Sequence, residues 1–324
     1  MSEVHATLSG TTVTVSNGML SLGFDLAHGG RLASLRDPVA EWEFIRDTEA
    51  PSTLFRLALI GRDSREVQWL EAGEATQLNW DTRREGERLT VLLTASGFAR
   101  RALSVTVAVT LTPDSALSRW RGSVSGLAAD EAVHQLALPL LTGVLRVGDP
   151  APGEALALPV QSEGWLFRDP FPVVDRLPLM SGMGPDTPQV GVGQWHGRYP
   201  GGIPVQLMLY LTERSSLYVA THDPDQHVKH FAVGPSTAEG SHPALSASHL
   251  PGEASGEAYA TPYDTVVGVF QGDWYDGADI YKAWARQQWW CAHKLGERDI
   301  PDWLRRAAAR DADARNGAAV GHAG

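Results

Sequence analysis

Apolar and polar residues alternate with a period of two along most of the chain, the pattern of strands with one buried face. The first two runs, Thr11–Ser16 and Leu20–Asp25, are joined near Asn17-Gly18, a dipeptide typical of β-hairpin turns. Further strands are predicted at residues 31–35, 53–60, 88–95, 103–111, 118–124, 134–141, 205–211, 216–220, 229–233 and 265–270. Many short strands separated by Gly, Pro and Asp predict a mainly β fold, a large antiparallel β-sandwich.

The segment between Gly148 and Gly193 interrupts this alternation with eight prolines. A segment of that length without regular structure is uncommon inside a compact domain unless it covers a surface or carries function. Large apolar residues that need burial lie within it, namely Trp165, Phe167, Phe171 and Leu177. We therefore predict an ordered excursion over a face of the sheet rather than a linker.

The residues after Asp273 change to a helical period. Asp273 can cap a helix, and Asp276 places negative charge in its first turn. The predicted apolar face consists of Ile280, Tyr281, Trp284, Gln288 and Cys291. The pattern divides the chain into a β-sandwich at 1–272, an amphipathic helix and linker at 273–304, and a tail at 305–324. The tail is rich in Ala, Arg, Asp and Gly, so we expect it to be disordered.

Composition narrows the classes of partner. The chain is 43% hydrophobic and 20% charged, as in globular proteins, and its net charge is −11 without a basic stripe. Nucleic acid and anionic membranes are therefore not expected as partners. Because Cys291 is the only cysteine, no internal disulfide can form, and neither a secretory signal nor a long apolar run is visible. We expect a cytoplasmic protein, and no phosphate loop or other cofactor motif is present.

The run from Thr221 to His230 is the densest polar cluster and includes His222, Asp223 and Asp225. Three interpretations stay open: a β-turn at Asp-Pro-Asp with solvated side chains, a contact with sugar hydroxyls or another domain, and a metal site. The run lacks the central Gly and the terminal Glu of a calcium loop, so no metal ligand is assigned.

A second cluster combines aromatic and polar residues in a Gly-rich segment: Trp195, His196, Arg198 and Tyr199. Aromatic rings can stack on the C–H surfaces of a sugar while His and Arg donate to its hydroxyls. A packed loop between strands is the alternative. Trp165 is a further candidate for carbohydrate contact on the same reasoning.

Residues Val15–Asp25 and Gly29–Asp37 resemble the first strands of the galactose-mutarotase-like β-supersandwich that precedes the barrel in several glycoside hydrolase families. Two later pieces, Tyr218–Asp225 and Gly272–Trp284, resemble an uncharacterised glycoside-hydrolase-like family with this architecture. The resemblance spans residues 12 to 304. It implies a supersandwich whose helix and Pro301–Leu304 lead into a (β/α)₈ barrel that carries the catalytic carboxylates.

A barrel needs about 200 residues or more, whereas twenty residues follow Leu304. By this resemblance, no catalytic residue is assigned and the chain alone is not expected to hydrolyse glycosides. We predict a non-catalytic, carbohydrate-associated domain. It would brace a barrel, in cis or in trans, through the helix at 274–290, and it would contribute one wall of a sugar cleft.

Two alternatives remain. A free-standing aldose epimerase needs a histidine and a carboxylate beside the sugar ring oxygen and the anomeric hydroxyl. His134 or His196 with Glu163 or Asp264 could take these roles. A protein-interaction sandwich without a sugar site would instead present an apolar patch on the helix.

Overall fold

The computed structural model describes residues 3–50, 52–99, 102–146, 148–160, 163–168, 170, 195–235, 243–252, 256–294, 297, 299 and 301–303. In chain order its strands and its helix are β1 His5–Ser9, β2 Thr12–Ser16, β3 Ser21–Asp25, β4 Arg31–Asp37, β5 Trp42–Glu43, β6 Arg56–Gly61, β7 Val67–Glu71, β8 Gln77–Glu85, β9 Arg88–Ser96, β10 Ser104–Leu111, β11 Leu117–Ser125, β12 Glu131–Thr142, β13 Ala155–Val160, β14 Glu163–Arg168, β15 Trp195–Tyr199, β16 Leu207–Leu211, β17 Ser216–His222, β18 Lys229–Pro235, β19 Pro243–His249, β20 Tyr259–Ala260, β21 Asp264–Phe270 and α1 Trp274–Ala285. Short 3-10 helices lie at Leu26–His28, Ala72–Glu74 and Trp289–Cys291.

Within these residues the strands form three antiparallel sheets. The five-stranded sheet runs β1-β2-β3-β4-β5, and the six-stranded sheet runs β15-β18-β19-β12-β6-β7. The ten-stranded sheet runs β14-β13-β16-β17-β21-β11-β10-β9-β8, with β20 beside β11. The molecule is mainly β with large antiparallel sheets and a helix near the C-terminus, so the predicted fold class is confirmed.

Alternation along β10 shows how the sequence builds the core. Val105, Val107 and Val109 are fully buried, whereas Thr106 and Thr110 point to the opposite face of the sheet. There the two threonines share hydrogen bonds with threonine hydroxyls of β9, at 3.0 Å and 2.8 Å. Strand β10 thus presents valine to the interior and threonine hydroxyls to the outer face, as a half-buried strand requires.

Asn17 anchors the predicted N-terminal hairpin. Strands β2 and β3 pair with Ser16 opposite Ser21, so the turn contains four residues. The buried Asn17 accepts from the backbone N–H groups of Met19 and Leu20, and its amide donates to the carbonyls of Thr112 and Ser115. The turn residue therefore also fastens the hairpin to the end of β10.

Part of the proline-rich segment is regular structure, because β13 and β14 form a hairpin that extends the ten-stranded sheet next to β16. Phe167 is buried there, but Trp165 is 38% exposed, in contrast to the predicted burial. Phe171 and Leu177 lie outside the described residues.

Helix α1 begins as predicted. Asp273 accepts from the N–H of Tyr275 at 2.8 Å, and Asp276 accepts from the N–H of Asp273 at 2.9 Å, so the two carboxylates cap the first turn. The buried Gly277 lies against Leu209 and Phe270 of the ten-stranded sheet. Ile280 and Tyr281 pack on the same cluster of buried residues.

The helix is shorter than the predicted span to 290. Its last turn tightens into i→i−3 hydrogen bonds from Gln287 to Trp284 and from Gln288 to Ala285. The side-chain amide of Gln288 also donates to the Trp284 carbonyl. Gln288 and Cys291 therefore lie beyond α1, and Cys291 is exposed rather than part of an apolar helix face.

The described residues divide into two compact units, one up to Tyr281 and one from Lys282 onward. In the second unit the rings of Trp284, Trp289 and Trp290 meet edge to face, with centroids 5.8 Å apart. The tail predicted at 305–324 lies outside the described residues. No helix in the described part of the chain has the length and apolar character of a membrane span.

Candidate functional site

The loop between β17 and β18 is organised by one buried carboxylate. Asp223 is inaccessible to solvent and accepts from the backbone N–H groups of Asp225 at 3.0 Å and of His227 at 2.6 Å. It also bonds to Nδ1 of His227 at 3.0 Å. Gln226, at the tip of the loop, adopts a left-handed backbone conformation with φ of 60°. The loop is thus held from inside by a single side chain.

The partner of Asp223 is Lys229, the first residue of β18, which is also inaccessible to solvent. The Lys229 ammonium donates to Asp223 and to Gln206 Oε1, the latter at 3.0 Å. It lies 4.3 Å from the centroid of the Tyr263 ring and 5.0 Å from that of Tyr199. An ion pair, an amide and two aromatic faces therefore surround this buried charge, as a buried ammonium requires.

Burial and the contacts within the pair shift the pKa values of Lys229 and Asp223 in opposite directions. Burial lowers the pKa of Lys229 to about 8, although the hydrogen bond and the charge of Asp223 act to raise it. Burial acts to raise the pKa of Asp223, but hydrogen bonds from Lys229 and His227 outweigh it and leave that pKa below its usual value. At neutral pH both groups are charged, and the pair is electrically neutral as a whole.

His249 extends the network along β19. Its Nε2 lies 3.1 Å from the carbonyl oxygen of Leu138, which can only accept, so Nε2 carries the proton. Its Nδ1 then accepts from the hydroxyl of Tyr263 at 2.8 Å. Burial lowers the pKa of His249 to about 4. The imidazole is therefore neutral, and it fixes the orientation of the Tyr263 ring.

A cavity of about 530 Å³ opens beside this network. We call it the tyrosine pocket, lined by Val133, Gln226, His227, Val228, Leu250, Pro251, Gly252, Glu257, Ala258, Tyr259, Ala260, Pro262 and Tyr263. The His227 and Tyr263 rings lie 5.5 Å apart with a 35° tilt. His227 is 43% exposed, and Glu257 is exposed as well. The pocket thus combines two aromatic walls with an imidazole and a carboxylate.

The opposite face of β18 carries a second polar cluster. In the β15–β18 pair Arg198 lies opposite His230, and in the β18–β19 pair His230 lies opposite Ser248. Ser248 accepts from the side-chain amide of Gln135 at 2.9 Å. The His196 ring lies 6.4 Å from the His230 ring in an edge-on arrangement. We call these five residues the histidine face.

The polar cluster predicted at Thr221–His230 is divided between the ten-stranded sheet, which contains β17, and the six-stranded sheet, which contains β18. His222 shares a hydrogen bond of 3.0 Å with the Tyr218 hydroxyl. Burial, followed by the charge of Arg119, lowers the pKa of His222 to about 3. Asp264, opposite His222 on β21, accepts from Arg119 at 3.1 Å and from Arg121 at 2.6 Å. His222 therefore belongs to the ten-stranded sheet, apart from the tyrosine pocket.

The structure brings some predicted residues together and separates others. Asp223 and Tyr199 meet at Lys229, while His196 and Arg198 lie on the histidine face. Asp225 is exposed on the loop. Two predicted tryptophans lie elsewhere: Trp195 is 1% exposed in the core, and Trp165 stands on β14 beside Phe167 at 5.6 Å.

The residues considered for an epimerase on sequence grounds are distributed over two sheets. His134 and His196 lie in the six-stranded sheet, whereas Asp264 lies in the ten-stranded sheet and is paired with two arginines. Glu163 lies on β14, at an edge of the same ten-stranded sheet. Sequence reasoning assigned no role to Lys229, Tyr259 or Tyr263. Lys229 stands in phase with the buried Phe231 and Val233, a signal that could have identified it.

Asp223, Asp225 and His227 could together hold a metal ion, because their ligand atoms lie within 4.8 Å of one another. The oxygens of Asp223 are already bonded to Lys229, His227 and two backbone N–H groups. A cation would have to compete with a buried ammonium at the same carboxylate. The arrangement therefore favours a hydrogen-bonded loop over a metal centre.

A family model described as Domain of unknown function (DUF6259) matches residues 259–320. No curated protein sequence matches this chain.

Similar folds occur among solved structures. The α-N-acetylgalactosaminidase NagBb of Bifidobacterium bifidum is 12% identical with a TM-score of 0.54, over 87% of this chain and 38% of that protein. The GH36 α-galactosidase AgaB of Geobacillus stearothermophilus is 10% identical with a TM-score of 0.52, over 88% and 43%. A Klebsiella pneumoniae protein described as an aldose 1-epimerase is 11% identical with a TM-score of 0.52, over 87% and 86%.

This chain therefore spans about two fifths of the length of the two glycosidases. Its fold, as the sequence resemblance predicted, is the galactose-mutarotase-like β-sandwich.

Proposed function

We propose that this chain is a carbohydrate-associated β-sandwich module that braces a catalytic barrel and forms one wall of a sugar cleft with the tyrosine pocket. The observation that carries the proposal is the pocket itself, in which two tyrosine rings stand beside His227 and Glu257. The shared fold with an α-galactosidase and an α-N-acetylgalactosaminidase supports a role with sugars.

The pocket has the chemistry that a pyranose requires. The half-buried Tyr259 ring can offer a flat apolar surface to the C–H face of a sugar, and the exposed His227 imidazole and Glu257 carboxylate can bond its hydroxyls. Asp223 fixes the backbone of the loop that carries His227, and His249 fixes the Tyr263 ring. Both walls are therefore pre-organised, which lowers the entropy cost of binding.

The charged groups nearest the pocket favour a binding role over catalysis. Asp223 and Lys229 neutralise each other, and both ring nitrogens of His249 are hydrogen-bonded. A general acid or base must exchange a proton with its substrate, and solvent reaches none of these three side chains beyond 1%.

The test is a calorimetric titration of the full chain with galactose and with N-acetylgalactosamine, the sugars to which the glycosidase names point. Glu257→Gln and His227→Gln should each weaken binding about tenfold, since each loses one hydrogen bond to a charged or polar group. Glu87→Gln, at the exposed turn between β8 and β9, is the matched control. Absence of saturable binding, or equal affinity in all variants, would refute the sugar pocket.

An aldose epimerase is a second candidate, favoured by two observations. His227 donates from Nδ1 to Asp223, so its exposed Nε2 is oriented as a base, and Glu257 lines the same pocket. The Klebsiella protein described as an epimerase is matched over 86% of its length. Polarimetry of freshly dissolved aldoses decides between the two functions. If the protein accelerates the interconversion of anomers and His227→Gln abolishes the acceleration, the epimerase is supported. If the rate with the protein equals the uncatalysed rate, the epimerase is excluded.

The barrel is tested by the intact mass of the protein that carries this domain in its native cells. The proposal expects a species at least about 25 kDa larger than the 35.0 kDa chain, the size of a (β/α)₈ barrel, or co-purification with a separate barrel of that size. A 35.0 kDa species without such a partner contradicts the bracing role.

A further inference from the structure

The histidine face contains buried polar groups without partners. Nδ1 of His196 and Nδ1 of His230 are inaccessible to solvent and have no hydrogen-bond partner within the described part of the chain. His230 as a whole is 7% exposed. A buried N–H without an acceptor is costly, whereas an empty nitrogen lone pair costs less. We therefore place the proton of each imidazole on Nε2, where it is available as a donor.

Arg198 adds a positive charge to the same face, and this charge has no ion-pair partner among the described residues. No carboxylate of the described residues lies within ion-pair distance of its exposed guanidinium, although the chain carries 38 acidic residues. Its charge lowers the pKa of the neighbouring His230, after the larger effect of burial. The guanidinium and both imidazoles can donate hydrogen bonds, so this end of the face suits an acceptor that is anionic.

The polar side chains form a row across four strands. Arg198 on β15, His230 on β18 and Ser248 on β19 are direct neighbours, and Gln135 on β12 bonds to Ser248. Neighbouring strands lie about 4.8 Å apart, so the row is about 14 Å long. It has a cationic end at Arg198, and a hydroxyl and an amide at the other end. A carboxylate attached to a polyhydroxylated ring matches this order of groups.

We propose that the histidine face binds an acidic saccharide, with the sugar carboxylate on Arg198 and the ring hydroxyls on His196 and His230. The site is separate from the tyrosine pocket, since Lys229 and His230 point to opposite faces of β18. It rests on the proposed carbohydrate function but shares no residue with the pocket. Because the chain has a net charge of −11, an anionic ligand is attracted to a local positive group such as Arg198 and repelled by most of the remaining surface.

The experiment compares galacturonate with galactose, which differ in the group at C6, by calorimetric titration of the full chain. We expect galacturonate to bind about tenfold more tightly, the effect of one charge-assisted hydrogen bond. Arg198→Gln should remove this preference, and His196→Phe, which keeps a ring but removes the N–H, should weaken galacturonate binding about tenfold. Arg88→Gln, an exposed substitution on β9, is the matched control.

Equal affinity for the two sugars, or a preference that survives Arg198→Gln, overturns the proposal. Displacement of galacturonate by an equal concentration of acetate also overturns it, because the site would then recognise a bare carboxylate. Glu257→Gln separates the two sites. About tenfold weaker galactose binding with unchanged galacturonate affinity supports two independent sites, and an equal loss of affinity for both sugars contradicts the histidine face as a separate site.

Discussion

Lys229 and Asp223 form an ion pair that solvent reaches from neither side. Lys229 is one of three lysines in the chain. Its ammonium also bonds to Gln206 and faces two tyrosine rings, so the charge is fully enclosed by partners. Asp223 meanwhile holds the loop that forms one wall of the tyrosine pocket. The pair therefore links the interior of the sandwich to the geometry of the candidate sugar site.

Lys229→Met should lower the free energy of unfolding by about 3–5 kcal/mol, because it leaves the Asp223 carboxylate buried without a counter-charge. Urea denaturation measures this change. The exposed Lys294→Met is the control and should change the free energy by less than about 0.5 kcal/mol.

The double variant Lys229→Met with Asp223→Asn should be more stable than Lys229→Met alone, since no unpaired charge remains. If the second substitution lowers stability further by its full single-variant amount, the two groups do not interact and the description of the pair is wrong.

Amine-reactive labelling should distinguish the three lysines. In the native protein an N-hydroxysuccinimide ester should modify the exposed Lys282 and Lys294 but not Lys229, which solvent cannot reach. In denaturant all three should react. Mass spectrometry of the peptides reads the result, and rapid native labelling of Lys229 would show that the pair opens to solvent.

Acid should destabilise the protein through its buried histidines. The pKa of His230 is lowered from 6.5 to about 4 by burial and by the charge of Arg198, and His196 also faces it. Between these values the unfolded state binds a proton that the folded state does not. Stability therefore falls as the pH drops from 6.5 to 4, by about 1.4 kcal/mol per pH unit for this residue.

His230→Gln should make the pH dependence of the free energy of unfolding shallower by about that slope. Urea titrations at several pH values between 4 and 7 measure it, with the exposed His5→Gln as the matched variant. An unchanged slope in His230→Gln would mean that the imidazole is protonated in the folded state.

Gly277→Ala should destabilise the contact between α1 and the ten-stranded sheet. An added Cβ would lie 2.6 Å from Leu209 Cδ1 and 2.9 Å from Phe270 Cζ. Overpacking of this kind costs about 1–3 kcal/mol, which exceeds the gain of about 1 kcal/mol from the higher helix propensity of alanine. Thermal unfolding measures the difference. Gly73→Ala, where a Cβ meets no atom within 4 Å, is the control.

The sequence predicted what depends on local pattern. Alternation located the strands of the sandwich, and Asp273 marked the start of α1, because caps and periodicity act within a few residues. The end of α1 was not predicted, since it depends on the amides of Gln287 and Gln288 that bond to the last carbonyls. The spacing of apolar residues along a helix contains no information on these side-chain hydrogen bonds.

The candidate site depends on contacts that no local pattern contains. Tyr199 reaches Lys229 because β15 pairs with β18 in one register, and Tyr263, which precedes β21, lies with its ring 4.3 Å from the ammonium. The loop at Asp223 could be singled out because its polar residues are adjacent in sequence. Its ion pair with a residue inside an apolar strand required the sheet to be known.

The alternation of Lys229 and His230 on β18 has a consequence for folding. A slip of β18 by one residue against its neighbours would turn Lys229 to the histidine face and leave Asp223 in the interior with no cation. Valine and phenylalanine further along the strand penalise the same slip only through lost burial. The buried ion pair therefore raises the free energy of the shifted register, so that Lys229 favours the native register of β18.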